Sequence, residues 1–280
     1  MGDYIDDLLW REIQSYFPVD NRLTEETLPE EYFLSVMDLE IHIDHYKPTS
    51  PCGRIILLHG VGGNGRLLSF IALLLMKNGF EVICPDMPLY GYTRYSKTVT
   101  YETWVLAGIE IVRYYQRINY LPTFLFGLSA GGMLAYQISN ESSQIDGLIV
   151  TCLLDQRENM VVKNTAKNQI LGVLASPFLS VAKIFAGNVK VPMKWVSNMK
   201  VIANHDELVS LLMKDKKSSG AMVPLIFLHS MLNPIIKIEP ENFKDIPVLL
   251  LHPGEDHWTN IKLSNLFYDR LATKKKTVIL

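Results

Sequence analysis

The chain has 280 residues, 48% of them hydrophobic, and a formal net charge of −2 from 27 Lys and Arg against 29 Asp and Glu. That length holds one large domain, or a domain with an inserted subdomain. The balanced charge, spread along the chain, gives no bulk signal for nucleic acid or for electrostatic attachment to an anionic membrane.

The start, MGDYIDDLLW, is acidic and lacks the basic n-region of a secretory signal. Apolar positions recur at helical spacing over residues 3–17, which predicts a helix packed on the domain as an extension (residues 1–31). EYFLSVMD and LEIHIDHY then alternate as an antiparallel hairpin does. Cys52, Cys84 and Cys152 are far apart and odd in number. They predict neither a metal site nor a disulfide framework, and fit a reducing, cytoplasmic setting.

A strand–helix rhythm follows. Strands are expected at Arg54–Leu58, Phe80–Pro85, Thr123–Phe126, Asp146–Thr151, Val248–Leu251 and Thr277–Leu280, and helices at 65–77, 100–118, 130–140 and 259–272. The strands are short, aliphatic and largely non-alternating, as in a mostly parallel sheet covered by helices on both faces. Residues 118–140 carry no charge, but Pro122 and the glycines there argue for strand, turn and helix over a membrane span. Residues 156–244 break the rhythm, with apolar runs at 169–175, 177–182 and 222–229. They read as a mostly helical cap inserted in an α/β core of residues 32–155 and 245–280. Lys274, Lys275 and Lys276 read as a solvated loop before the last strand.

Two glycine turns carry the candidate chemistry. His59-Gly-Val-Gly-Gly-Asn-Gly65 follows a strand and can be read as a phosphate loop or a dinucleotide fingerprint. Arg66 and Leu67 stand where a phosphate loop needs Lys and Ser or Thr. The dinucleotide reading has Asp86 available as its acid and implies a nucleotide-dependent oxidoreductase. The second turn, Gly127-Leu-Ser-Ala-Gly131, sits between an apolar strand and an apolar helix, the context of a nucleophile elbow with Ser129 as nucleophile. An elbow serine needs one amide donor after itself and another from the earlier loop. Ala130 and Val61 supply those N–H groups for an oxyanion, with His59 bracing the loop.

The order HG, Cys84-Pro85-Asp86 with Gly91, GxSxG, a cap and Gly254-Glu255-Asp256 resembles the α/β-hydrolase superfamily. It is most similar to the capped lysophospholipase and serine-aminopeptidase-like branch that includes monoacylglycerol lipases, over roughly residues 32–280. The resemblance implies that fold, no cofactor or metal, and a triad acid at Asp256 that orients a histidine. Asp155, after the preceding core strand, is a rival acid; Asp256 is alternatively a loop cap. The resemblance also places the histidine after the last strand, where these 280 residues stop, so a truncated core is expected. Four histidines follow Ser129. His205 and His229 lie in the cap, His252 in the strand's exit loop, and His257 beside Asp256 in an awkward i, i+1 position.

The expected activity is a serine hydrolase cleaving small or lipid-like carboxylic esters, with no nucleic-acid partner and no transmembrane segment. The alternative is a non-catalytic binding protein on the same fold.

Overall fold

A computed structural model of the chain describes residues 4–167, 179–180 and 182–280. The apolar runs expected at 169–175 and 177–182 lie wholly or partly outside them. The first helix, α1 (Leu8–Gln14), is shorter than its periodicity suggests. Asp7 starts it by accepting from the N–H groups of Leu9 and Trp10 at 3.0 and 3.2 Å.

The body is a nine-stranded sheet. In chain order its strands are β1 (Glu30–Val36), β2 (Leu39–Tyr46), β3 (Gly53–Leu58), β4 (Phe80–Pro85), β5 (Arg94–Tyr95), β6 (Thr123–Gly127) and β7 (Gly147–Val150). After the small ribbon β8 (Lys190–Pro192) and β9 (Met222–Pro224) come β10 (Val248–Leu251) and β11 (Lys276–Ile279). The spatial order is β1-β2-β4-β3-β6-β7-β10-β11, with the short β5 added to β2. Strands β4 to β11 along this path pair in parallel, and the leading hairpin is antiparallel. Strand β5 has no apolar alternation and was not legible in the sequence.

Helices α2 (Ser69–Lys77), α3 (Tyr101–Ile118), α4 (Ala130–Glu141) and α9 (Ile261–Tyr268) cover the sheet. Every residue of β3 is buried, and its side chains divide between two cores. Ile56 and Leu58 join Ile83, Trp104, Leu134 and Phe267, while Ile55 and Leu57 join Val82, Ala72, Leu73 and Trp10. This is the reason for the unbroken apolar runs: a strand covered on both faces has no polar side to show. The segment expected to start as helix at 65 begins instead with a 3₁₀ turn, Arg66–Leu68, and the last helix is shorter than 259–272.

Within residues 156–244 the helices include α5 (Asn159–Thr165), α6 (Met193–Val196), α7 (Asp206–Lys214) and α8 (Leu225–Leu232). The ribbon β8–β9 adds strand structure to a segment read as helical. Arg157 ties its two ends together. Its guanidinium pairs with Asp155 at 2.8 Å and with Glu239 at 2.6 Å. Among the described residues no helix is long and apolar enough to cross a membrane.

The hairpin departs most from its sequence pattern. Alternation puts His42 and Asp44 on the side expected to face water, yet both are buried. The reason is Arg66, itself fully buried, whose fork binds Asp44 at 2.6 and 2.8 Å and Glu31 at 2.7 Å. His42 bridges Glu31 at 3.0 Å and Asp86 at 3.1 Å. The rings of Tyr4 and Trp10 close over the guanidinium at 4.7 and 5.6 Å. The N-terminal segment is thus the lid of a buried ion cluster. Glu31, His42 and Asp44 offer donor atoms within 4.8 Å of one another, as a metal site would. Arg66 already supplies the positive charge there.

Burial lowers the proton affinity of His42, but the charge of Asp86 and the hydrogen bonds to Asp86 and Glu31 outweigh it and raise its pKa from 6.5 to about 10. Burial opposes the charged Glu31, but His42 and Arg66 bring it down to about 2. The stabilisation from His42 is therefore full below pH 6.5 and lost as pH rises through about 10. That from Glu31 is full above pH 4.5 and lost as pH falls towards 2. Thermal melts across this range should fall on the alkaline side, and His42→Gln should lower the melting temperature at pH 6 while flattening that limb. An unchanged alkaline limb in the variant would refute the assignment.

Candidate active site

Strand β6 ends at Gly127, and α4 begins three residues later. Leu128 donates its N–H to Leu58 O at 3.0 Å, which pins the turn to β3. Ser129 then takes φ 52° and ψ −127°, a backbone region that costs a non-glycine residue about 1–3 kcal/mol. Its N–H is held by Thr151 Oγ1 at 3.0 Å, at the end of β7. The turn is forced to be sharp because α4 packs directly under β3. A Cβ on Gly131 would stand 2.4 Å from Leu58 O.

The loop after β3 reaches the same place. A Cβ on Gly60 would lie 2.9 Å from both Leu128 O and Ser129 Cβ. Only a glycine lets this loop lie against the elbow. His59 is buried and fixes the loop from beneath. Its Nδ1–H donates to Gly60 O at 2.8 Å, and Nε2 accepts from Met87 N–H at 2.9 Å. Burial lowers its pKa, so the imidazole is neutral.

The rival readings of the glycine turn fail on the partners of Arg66 and Asp86. Arg66 is sequestered in the ion cluster. Asp86 accepts from Gly65 N–H at 2.7 Å, Tyr92 N–H at 2.9 Å and Tyr4 Oη at 3.0 Å. It is fully buried and its carboxylate is spent on its own chain.

Ser129, Val61 and Ala130 all line one cavity of about 910 Å³, and Ser129 is half-buried at its wall. Met133, Leu154, Leu228 and Met231 make much of the rest apolar. Neither the Val61 nor the Ala130 N–H has an acceptor among the described residues. Ala130 opens α4, so its N–H has no intrahelical carbonyl to bind.

Asp256 stands in the loop after β10. Its Oδ1 accepts from the N–H groups of Trp258 and Thr259, each at 2.8 Å, and its Oδ2 from Thr259 Oγ1 at 2.6 Å. Asp256 thus shapes the loop, while Asn260, not Asp256, caps the following helix. Trp258 and Thr259 line the cavity. Cys152 follows Thr151 and is buried, within reach of the Asp256 charge. Burial and then the Asp256 charge push that thiol up to about 12, so it is an inert neutral group. Asp155, the rival acid, is engaged by Arg157.

The histidines are spoken for or distant in role. His45 binds Glu81, His229 contacts Ser180 and Lys183, His257 is exposed beside Glu255, and the His205 ring packs on Tyr16. His252 is buried at the end of β10, with its Nδ1 unpartnered. None of them hydrogen-bonds to Ser129 among the described residues. Thr151, Cys152 and Thr259 escaped the sequence reading because they belong to no motif. Their only signal is position, Thr151 and Cys152 just past β7 and Thr259 in the loop between β10 and the last helix.

A profile of the family "Serine aminopeptidase, S33" matches residues 49–280. Among curated proteins none matches. Solved structures do. A soluble variant of monoglyceride lipase from Saccharomyces cerevisiae, bound to a substrate analog, has a TM-score of 0.73 at 18% identity, covering 94% of this chain and 88% of that one. A monoacylglycerol lipase from Paleococcus ferrophilus has a TM-score of 0.65 at 19% identity, covering 86% and 88%. A carboxyl esterase from Bacillus coagulans, with glycerol, has a TM-score of 0.60 at 17% identity, covering 89% of each chain. At these identities the likeness is one of fold. With a profile match over most of its length, on a mostly parallel sheet interrupted between β7 and β10, the chain belongs to the "Serine aminopeptidase, S33" family and has the α/β-hydrolase fold.

Proposed function

We propose that the protein is a serine hydrolase acting on carboxylic esters with a small or lipid-like acyl group. The observation that carries this reading is the convergence at one apolar cavity of the strained Ser129 and two unengaged amides, Val61 and Ala130. Ser129 Oγ attacks the ester carbonyl. The carbonyl oxygen becomes an anion in the cleft and takes hydrogen bonds from both N–H groups, with the N-terminus of α4 favouring the charge. The alcohol leaves, and water attacks the acyl-serine to release the acid.

A histidine must take the serine proton and give it to the alcohol. A histidine placed just beyond β11 would serve, because β11 lies beside β10 and runs parallel to it, towards the Asp256 loop. Asp256 is its orienting acid. Its Oδ2 accepts one hydrogen bond from Thr259, and a carboxylate oxygen has room for a second. Residues 156–244 act as the cap, with Arg157 as the clip at its base, and the protein works in the cytoplasm. The second reading, a binding protein without chemistry, draws on the lack of a histidine bonded to Ser129 among the described residues.

A fluorophosphonate probe separates the two. The full-length protein should be labelled, and Ser129→Ala should abolish labelling while leaving the melting temperature nearly unchanged. Absence of labelling in the full-length protein would favour the binder. Gly60→Ala should leave the fold intact but slow labelling at least about tenfold, because a small displacement of an oxyanion donor is costly. Labelling at the parent rate would contradict the role given to the Val61 loop.

A further inference from the structure

The balanced total charge hides a local imbalance. Residues 159–205 contain Lys163, Lys167, Lys183, Lys190, Lys194 and Lys200 and no Asp or Glu. Nothing in the bulk composition revealed it, because the acids are concentrated elsewhere in the chain.

The structure gathers part of this charge. Lys167, Lys194 and Lys200 line one shallow hollow of about 190 Å³ with Trp195, Met199 and Met213. All three lysines are exposed, and none forms an ion pair among the described residues. No acid lines the hollow. Trp195 is 65% exposed, an unusual placement for so large an apolar side chain in a folded chain. Lys167, Trp195 and Ser197 belong both to this hollow and to the cavity that holds Ser129. The basic, tryptophan-bearing rim is therefore continuous with the apolar cavity.

We propose that this rim docks on a membrane surface containing anionic lipid, which rests on the hydrolase reading only for the use made of the docking. Unpaired lysines are attracted to the negative headgroup layer. A tryptophan beside them seats its ring at the interface, with an apolar body and a polar N–H. An acidic soluble partner would satisfy the lysines equally but would leave the exposed ring without a hydrophobic phase, so the membrane is favoured. Docking in this orientation holds the cavity opening against the bilayer, and an ester-bearing lipid can pass from the leaflet to Ser129 without crossing water.

The test is flotation with vesicles of pure phosphatidylcholine and of phosphatidylcholine mixed with phosphatidylglycerol, using the Ser129→Ala protein so that no lipid is consumed. The protein should float with the anionic vesicles at low salt and be released at high salt. Lys194→Glu with Lys200→Glu should weaken flotation at least about tenfold, while the control Lys262→Glu with Lys274→Glu should not. Equal flotation with neutral vesicles, no flotation, or an equal loss in the control would overturn the proposal. So would retention on polyglutamate without vesicle binding, which would identify an acidic protein as the occupant. Fluorophosphonate labelling of the Lys194→Glu, Lys200→Glu protein with Ser129 present should match the parent. In the full-length protein with all six lysines intact, labelling without vesicle binding sinks the docking alone, and vesicle binding without labelling sinks the hydrolase reading alone.

Discussion

Ser129 is held in a backbone conformation that its side chain resists, and the surrounding structure is arranged to keep it there. Its φ of 52° is sustained by Thr151 Oγ1 on its N–H and by the Leu128 amide on β3. The close approach of α4 to β3 leaves room only for glycine at position 131. Such strain persists only where neighbours over-determine it. Here they do so from three adjacent strands, β3, β6 and β7, which is why the elbow sits at the middle of the sheet and not at an edge.

The same constraint explains the glycines of the first turn. The two side chains that a phosphate or nucleotide reading of that turn would call on are committed elsewhere, Arg66 to Asp44 and Glu31, and Asp86 to the N–H groups of Gly65 and Tyr92. What it does is lie against Ser129. His59 fixes the start of the loop, and the ion cluster beneath fixes its end through Gly65 and Arg66. A cluster of this kind adds little net stability over an apolar core, but losing one partner costs about 3–5 kcal/mol. Its value here is positional, since the N-terminal segment, the hairpin and the loop after β3 all meet at it.

Much of the fold was legible because parallel strands covered on both faces must read as apolar runs, and β4 and β10 were placed to the residue. The sharp bend at Ser129 was legible because close packing there leaves room only for glycine at 127 and 131, a local pattern. Other features were not. Strand β5 is two residues long and has no period to detect. The burial of His42 and Asp44 depends on Arg66, which is distant in sequence and resembled a failed phosphate-loop residue. The Asp256 loop was found through its G-x-D pattern, but the partners of its carboxylate, Trp258 and Thr259, follow from loop geometry that no spacing encodes. Reading residues 156–244 as mostly helical missed the β8–β9 ribbon, whose strands are three residues each.

The central claim is that the Val61 and Ala130 amides receive the charge that forms when Ser129 attacks. The most direct measurement is a crystal structure of the full-length protein after reaction with a fluorophosphonate. The account predicts a covalent adduct on Ser129 Oγ, with its phosphonyl oxygen about 2.7–3.1 Å from both backbone nitrogens. An adduct on another residue, or one whose oxygen points away from both amides, would contradict it.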